Sequence, residues 1–438
     1  MKGGEKFMKK YSCNELSDDE RQQLCRRPKK DFKSIFNTVA PIIDRVKRTG
    51  DAGISHFSQQ FDGVVPDPLV IDPHEQSIDL APDIKQAIDT AFDNIYRFHE
   101  AQLPKPLELE TMPGVRCQRV VRAIERVGLY VPGGTAMLPS TLMMLGIPAA
   151  IAGCSSITVA TPPNADGSIA DEVIYIAQKA GADHVLKTGG AQAIAGMAYG
   201  TGTVPKADKI FGPGNQYVTA AKMLLQNSEA RVAIDMPAGP SEVLVIADGS
   251  ADPDFVAADL LSQTEHGPDS QVVLVATPAF DLPAFEQALE DQLKVLPRKA
   301  IAEQALDHSF VLIADSLEEA FQFSNRYAPE HLIVQCAEAD AWIDGISNAG
   351  SVFLGHWTPE SAGDYASGTN HTLPTYGYAR MYSGVSVDDY LKKITLQQIS
   401  QRGLQQLGPT IEKLAELEEL QAHKRAVSIR TDKIKANN

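Results

Sequence analysis

The stretch SSITVATPPNADGSIADEVIYIAQKAGADHVLKTGG, residues 155–190, contains a complete strand–helix–strand pattern. A short apolar run, SSITVATPP, is followed by the helical segment ADEVIYIAQKAGA and then by a second apolar run, DHVLKTGG. Strands that alternate with helices of this length are typical of βαβ units and of a mostly parallel sheet. The stretch therefore predicts an α/β fold.

The alternation extends in both directions along the chain. Upstream, the pattern predicts a strand at residues 127–131 and a buried helix at residues 140–153, which lead to the strand at residues 157–160 of the quoted stretch. Downstream, the apolar runs KADKIFGPGN, SEVLVIAD, SQVVLVAT and FVLIAD are separated by helical segments. Residues 32–99 have the pattern of amphipathic helices. At 438 residues the chain is too long for one ordinary core, so we expect two or more domains.

Charge and cysteine content narrow the class of protein. The formal net charge of -16 argues against nucleic acid as a partner, because no basic stripe offsets it. The basic residues at 26–30 and the pair at 424–425 are interpreted as solvated surface patches. The five cysteines are scattered without CxxC spacing, which suits reduced thiols in a cytosol.

Membrane insertion is not predicted. Residues 127–164 carry no charge, but Pro132, Pro139 and Pro148 interrupt them, so that no run of about 18 apolar residues survives. The N-terminus has lysines but no apolar core of a signal peptide. We predict a cytoplasmic protein without membrane or nucleic-acid partners.

Glycine-rich turns follow several of the predicted strands: VPGG, TGGAQ, FGPGN and MPAGPSE. In open α/β sheets, ligands bind at the carboxyl ends of strands. Glycine allows the backbone to approach a ligand closely, and the next helix offers free N–H groups to an anion. None of these turns matches G-x-G-x-x-G, so a dinucleotide is compatible with their chemistry but not assigned by a motif.

Polar residues that suit catalysis or metal binding occur in four places. In NRYAPEHLIV, residues 325–334, Glu330 directly precedes His331 where a turn becomes a strand; alone, such a dipeptide is more typical of a solvated turn. Gln263 and His266 are three residues apart at a helix end, although glutamine is an uncommon zinc ligand.

The long loop at residues 356–371 contains Asp364 and His371, and loops of more than about 12 residues are usually functional or disordered. The last place is a C-terminal helix with a leucine stripe, which carries Glu418 and His423 and also suits ordinary packing.

Taken together, the motifs resemble those of the histidinol dehydrogenase family. The likeness rests on LYVPGG, TGGAQAIAGMAYGT, KADKIFGPGNQYV, AIDMPAGPSEVLVIAD, DLLSQTEHGPDSQ, NRYAPEHL, NAGSVFLG, SAGDYASGTNHTLPT and LQAHKRAVSIR, in the order the family has them. It extends over about residues 36–430. The resemblance implies zinc-dependent oxidation of L-histidinol to L-histidine through L-histidinaldehyde, with two NAD, in the last steps of histidine biosynthesis.

The resemblance also implies roles for individual residues. The catalytic pair would be Glu330 and His331. The zinc ligands, for one ion per subunit, would be Gln263, His266, Asp364 and His423. Substrate would contact these four ligands together with Ser241, His331, His371 and Glu418. NAD would contact Tyr130, Gln192 and Asn215.

The fold implied by the resemblance has two Rossmann-like lobes with mostly parallel sheets, an aldehyde-dehydrogenase-like architecture, and a helical C-terminal tail. We expect residues 31–133 and 241–386 to form the first lobe, with the zinc and catalytic residues, and residues 134–240 to form the second, with the NAD-binding edge. Residues 387–438 would be the tail, and residues 1–30 an arm that packs with it. In the family the tail reaches into a neighbouring subunit, which implies a homodimer with shared active sites.

Two other functions remain open on the residues alone. A cysteine-dependent aldehyde dehydrogenase would share the architecture and NAD, but no cysteine lies in a polar glycine-rich motif, and Cys154 comes nearest. A two-lobed amino-acid binding protein without catalysis would not need a Glu–His pair.

Overall fold

The computed structural model describes residues 8–27, 32–133, 138–237 and 239–436. The chain divides into two compact units. The first contains Met1–Gln102 and Ile124–Asp389, and the second contains Leu103–Ala123 and Tyr390–Asn438. Each unit is thus assembled from segments that are distant in sequence.

The strands alternate with helices through most of the chain. In order, the strands are β1 (Lys9–Ser12), β2 (Val70–Ile71), β3 (Leu107–Met112), β4 (Val115–Ala123), β5 (Arg126–Tyr130), β6 (Ser156–Thr161), β7 (His184–Lys187), β8 (Lys209–Phe211), β9 (Ala233–Ile234), β10 (Glu242–Ala247), β11 (Gln271–Ala276), β12 (Phe310–Ile313), β13 (His331–Gln335), β14 (Ser351–Leu354) and β15 (Leu391–Ile399).

The helices are α1 (Asp18–Leu24), α2 (Phe32–Thr49), α3 (Asp51–Phe61), α4 (Pro82–Glu100), α5 (Pro139–Ala152), α6 (Asp171–Lys179), α7 (Gly190–Tyr199), α8 (Gln216–Gln226), α9 (Pro253–Thr264), α10 (Leu282–Val295), α11 (Lys299–Leu306), α12 (Leu317–Tyr327), α13 (Glu360–Tyr365), α14 (Gln401–Leu417) and α15 (Gln421–Ala436). No helix among the described ranges is both long enough and apolar enough to cross a bilayer.

The first unit contains two sheets. The first sheet has the strand order β1-β12-β11-β10-β13-β14, and all of its neighbouring strands run parallel. The second has the order β2-β7-β6-β5-β8-β9, and only the short β2 runs antiparallel to its neighbour. This confirms the predicted α/β class with mostly parallel sheets.

The uncharged region around β5, α5 and β6 is buried. Every residue from Ser140 to Ala149 in α5 is buried, and β6 is inside apart from its first residue. A central parallel strand is covered on both faces, so its sequence is continuously apolar rather than alternating. Burial within an α/β unit therefore explains the lack of charge here.

Two strands pair differently from what the expected lobe boundaries suggest. β2 and β5 precede residue 134, yet both pair within the second sheet. β5 lies between β6 and β8, so that both of its edges are paired. The division of the remaining residues between lobes stays a prediction.

The N-terminal arm contributes to the first unit. β1 extends the first sheet by pairing in parallel with β12. Arg27, predicted to belong to a solvated basic patch, is instead buried and forms an ion pair with Glu242 at 2.7 Å. That interpretation was wrong for Arg27, because its acidic partner is distant in sequence. Residues 28–30 of the same cluster lie outside the described residues, and the packing of the arm with the tail stays a prediction.

The second unit combines a three-stranded antiparallel sheet, in the order β15-β4-β3, with helices α14 and α15. The predicted helical tail is confirmed, but it begins only after β15. Large apolar side chains are exposed on this unit, which include Leu109 on β3 at 59 % and Leu417 on α14 at 69 %.

Candidate active site

A cavity of about 500 Å³ in the first unit collects most of the predicted site residues. Tyr130, Asn215, Ser241, Gln263, His266, Glu330, His331, Asp364 and His371 all line it. The residues from the second sheet follow the carboxyl ends of their strands, as expected for an α/β fold. The site residues from the first sheet lie instead at the amino ends of its strands. Glu330 and His331, for example, are at the start of β13.

The Glu330–His331 pair is buried at the base of this cavity and is held by the main chain of Glu242. The N–H of Glu242 donates to Oε2 of Glu330 at 2.8 Å. Nδ1 of His331 lies 3.1 Å from the carbonyl oxygen of Glu242 and donates to it. This bond places the lone pair of neutral His331 on Nε2, which lies 3.4 Å from Asp364. Nε2 is therefore the atom that can accept a proton.

The environment of the pair shifts both acid–base equilibria. Burial raises the pKa of Glu330 to about 8. Burial by itself would lower the pKa of His331. The carboxylates of Glu360, Glu330 and Asp364 outweigh this effect and raise the pKa of His331 to about 10. A solvated turn would not shift either group in this way, so the geometry favours an acid–base site.

The donor atoms of His266, Glu360 and Asp364 lie within 4.8 Å of one another, close enough to hold a metal ion. Gln263, at the C-terminal end of α9, is fully buried beside them. A helix C-terminus carries partial negative charge, which favours a cation nearby. Nitrogen and oxygen donors in this arrangement suit zinc, so the residues fit the predicted metal.

Glu360 is a member of this cluster that the sequence pattern did not single out. It is 2 % exposed, and burial raises its pKa to about 8. The amide of Gln263, oriented to satisfy its partners, donates to the Glu360 carboxylate. Glu360 precedes Asp364 by four residues, one turn of α13, so both side chains fall on one face. That spacing was the signal in the sequence.

Contacts at both ring nitrogens hold the imidazole of His371 in place. Its Nδ1 donates to the carbonyl oxygen of Asp364 at 2.9 Å, and its Nε2 lies 3.1 Å from the hydroxyl of Thr141 on α5. Burial lowers the pKa of His371, so its imidazole favours the neutral form. Residues 356–371 were expected to form one long loop, but they contain α13. This segment positions both Asp364 and His371 at the cavity.

The opposite wall of the cavity comes from the glycine-rich turns. The N–H of Gly190 donates to the Tyr130 hydroxyl at 3.1 Å, and burial raises the pKa of that phenol to about 12. Asn215 caps α8 by accepting from the N–H groups of Tyr217 and Val218. Gly212 has φ +122°, and a Cβ there would lie 2.1 Å from the carbonyl oxygen of Tyr130. Only glycine permits this close approach of the two turns.

Three predicted residues do not line the cavity. Gln192 is buried in α7, where its Nε2 lies 3.4 Å from the hydroxyl of Thr188. Glu418 and His423 belong to the second unit, at the end of α14 and in the first turn of α15, and both are exposed. Their proposed contacts with substrate and zinc stay predictions.

The cysteines do not support a thiol nucleophile. Among the residues described as lining the cavity there is no cysteine. Burial raises the pKa of Cys154 to about 12, so its thiol is protonated at neutral pH. The geometry thus gives no support to a cysteine-dependent aldehyde dehydrogenase.

Comparison with known proteins identifies the family. The histidinol dehydrogenase family model matches residues 25–431. The chain is 59 % identical to a chloroplastic histidinol dehydrogenase of Oryza sativa, over 98 % of this chain and 91 % of that protein. It is 51 % identical to a histidinol dehydrogenase of Vibrio parahaemolyticus, over 96 % of this chain and 98 % of that protein. A crystal structure of histidinol dehydrogenase from Elizabethkingia anophelis matches with a TM-score of 0.93 and 48 % identity, over 99 % of this chain and 100 % of that one. The chain therefore belongs to the histidinol dehydrogenase family, the oxidoreductases of histidine biosynthesis.

Proposed function

We propose that this chain oxidises L-histidinol to L-histidine in two successive NAD-linked steps, with one zinc ion per subunit. The observation that carries the proposal is that the buried Glu330–His331 pair lines the same cavity as His266 and Asp364, two members of the cluster that could hold a metal ion. Two bases at one position suit two oxidations of one carbon atom. A binding protein without catalysis would have no use for this pair.

In the first step, Nε2 of His331 accepts the hydroxyl proton of the alcohol. The carbon that carries this hydroxyl gives up a hydride. The positive charge that forms on the imidazole is stabilised by the neighbouring carboxylates, which raise its pKa. Asp364 lies 3.4 Å from Nε2, so the imidazolium has an ion-pair partner without any movement of the chain. The product of this step is the aldehyde.

The second step requires water. An aldehyde must become its hydrate before it can lose a second hydride, so a base is needed to take a proton from the attacking water. Glu330 suits this role, since its raised pKa makes it a stronger base than an ordinary carboxylate. His331 then accepts the hydroxyl proton of the hydrate as in the first step.

Zinc and NAD have distinct contributions in this proposal. Bound zinc would hold the imidazole and amino nitrogens of histidinol, and bound NAD would accept the hydride. Gln263, His266 and Asp364 of the first unit would hold the metal, with His423 as the fourth ligand. Tyr130, Gln192 and Asn215 would contact NAD.

We further propose a homodimer in which His423 comes from the other subunit. The second unit exposes a row of large apolar side chains that monomeric proteins normally cover: Leu107, Leu109, Ile394, Leu396, Ile399, Leu414, Leu417 and Leu420. An antiparallel sheet and an amphipathic helix with such faces suit an interface with a second copy. In the family that the sequence resembles, this tail reaches into the neighbouring subunit.

The direct test of the function is the reduction of NAD, followed by absorbance, on addition of L-histidinol to protein purified without chelator. We expect two NAD reduced for each histidinol consumed, and zinc in proportion to subunits. If a chelator abolishes the reduction of NAD and added zinc restores it, the activity depends on zinc. Protein that contains zinc but reduces no NAD with histidinol would contradict the proposal.

The pH dependence of the reaction follows from the carboxylates around His331. Because they raise its pKa to about 10, the neutral form that can accept a proton increases as pH rises towards that value. We therefore expect kcat/KM for histidinol to increase from neutral to alkaline pH. Among the carboxylates, Glu360 contributes most to raising the pKa of His331. Glu360→Gln should therefore lower this pKa, so that the increase in kcat/KM begins at lower pH.

Glu290→Gln is the matched control for this measurement, since Glu290 is half-exposed on α10 and remote from the cavity. It should leave the profile of kcat/KM against pH unchanged. An unchanged profile for Glu360→Gln as well would show that Glu360 does not control the protonation of His331.

A further inference from the structure

One buried cation lies behind the candidate catalytic pair. Arg27 belongs to the N-terminal arm, and its side chain is 5 % exposed. Its Nε donates to Oε1 of Glu242 at 2.9 Å and its Nη2 donates to Oε2 at 2.7 Å. This two-pronged contact matches the planar guanidinium fork to the carboxylate, which a lysine cannot reproduce.

The remaining N–H groups of Arg27 are also satisfied. Nη1 donates to the carbonyl oxygens of Cys25 and Tyr327 at 2.8 Å each, and Nη2 donates to that of Ala328 at 3.4 Å. The guanidinium carbon also lies 3.5 Å from the centre of the Tyr327 ring. All donors of this side chain therefore have partners, and three of the partners belong to segments that lead to the site.

The first of these segments is the turn before the catalytic pair. Ala328 has φ +53°, a left-handed conformation that a residue with a side chain rarely adopts. This turn ends α12 and leads through Pro329 to Glu330. By binding the carbonyl groups of Tyr327 and Ala328, Arg27 holds the strained turn that sets the direction of the chain as it enters β13.

The second segment is the start of β10. Glu242 is 1 % exposed, and a buried carboxylate without a partner is strongly destabilising. Its Oε1 also accepts from the N–H of Tyr376 at 2.9 Å. The main chain of the same residue donates to Glu330 and accepts from His331. Movement of Glu242 would thus move both hydrogen bonds that orient the pair.

We propose that Arg27 is a positioning residue of the active site, which acts through Glu242 and the Tyr327–Ala328 turn to hold Glu330 and His331 in their reactive orientation. The inference rests on the proposed catalytic roles of Glu330 and His331. Arg27 itself does not line the cavity, so it has no direct contact with a substrate there. Its effect should therefore be on turnover rather than on substrate binding.

The experiment compares the zinc-loaded Arg27→Met enzyme with the wild type. We expect kcat for histidinaldehyde oxidation to fall about 10- to 100-fold, the usual result of misplacing a catalytic group. KM for histidinaldehyde and the zinc content should stay close to those of the wild type. The control is Arg48→Met, which removes an exposed arginine from α2 and should change none of these values.

Two further measurements separate positioning from a general effect on structure. Methylguanidinium should restore part of the activity of Arg27→Ala, because it can replace the lost guanidinium group. In a double variant, Arg27→Met should cost less in the Glu330→Gln background than in the wild type, since part of its effect acts through Glu330 and residues that act as one unit are not additive. Losses that multiply would show independent effects and overturn the proposal.

The remaining outcomes are equally decisive. Wild-type kcat in Arg27→Met would overturn the proposal, and so would a variant that fails to fold or loses zinc, because Arg27 would then have only a structural role. Wild-type activity in Glu330→Gln and His331→Asn would instead overturn the proposed function on which the inference rests.

Discussion

His331→Asn is expected to lower the oxidation of histidinol and of histidinaldehyde alike, each by about 10²–10⁴, the usual contribution of one positioned base. Both oxidations remove a hydroxyl proton from the reacting carbon, first from the alcohol and then from the hydrate. Asparagine can keep a hydrogen bond to the main chain of Glu242 but cannot accept the proton. The loss should therefore be chemical, with little change in the thermal midpoint.

Glu330→Gln should separate the two oxidations. Glutamine has the size of glutamate and still reaches the N–H of Glu242, but it is a poor base for the attacking water. We expect a large loss of histidinaldehyde oxidation and a much smaller loss of histidinol oxidation. Single-turnover measurements that start from each compound measure the two rates separately.

The control for both variants is His308→Asn, because His308 is exposed and remote from the cavity. It should leave both rates unchanged. Equal losses in the two oxidations for Glu330→Gln would refute the division of roles, although both residues could still be catalytic.

Mixing two inactive proteins should restore activity if the site is shared between subunits. His331→Asn and His423→Asn chains, unfolded together and refolded, should form hybrid dimers. In a hybrid, one site combines the intact His331 of one chain with the intact His423 of the other. Random pairing should recover about a quarter of wild-type activity, since half of the dimers are hybrid and each has one intact site.

The alternative arrangement predicts a different result. If His423 serves the subunit to which it belongs, each chain of a hybrid carries one damaged site and no activity returns. Native mass measurement shows whether hybrids have formed, so that absent activity in their presence would refute the shared site. His423→Asn mixed with wild type provides the calibration.

The parts of the fold that were predictable are those whose sequence reflects complete burial. Residues 127–164 have no charge because β5, α5 and β6 are covered on all sides, and each of their boundaries lies one residue from the expected one. β15 was not expected as a strand. Most of LKKITLQQI is exposed on both faces, so it lacks the alternation that identifies a half-buried strand.

The site was predictable where the chemistry is local in sequence, and not where it depends on tertiary structure. Glu330, His331, Asp364 and His371 belong to short motifs, and the cavity brings them together. Arg27 had the appearance of one basic residue in a surface cluster. Its buried partner Glu242 is 215 positions away, and no local pattern connects the two. A buried ion pair of this kind is visible only in the folded chain.

The second unit has a consequence for synthesis of the chain. β4 pairs with β15 along its full length, yet residues 124–389, the larger segment of the first unit, separate the two strands in sequence. At about 5–20 residues per second, the ribosome makes β4 roughly ten seconds to a minute before β15 exists. During this time β4 presents an open strand edge, a template for wrong pairing between nascent chains. Arg119 and Arg122 on β4 place positive charge beside that edge, and charged side chains of this kind disfavour pairing between strand edges of neighbouring chains.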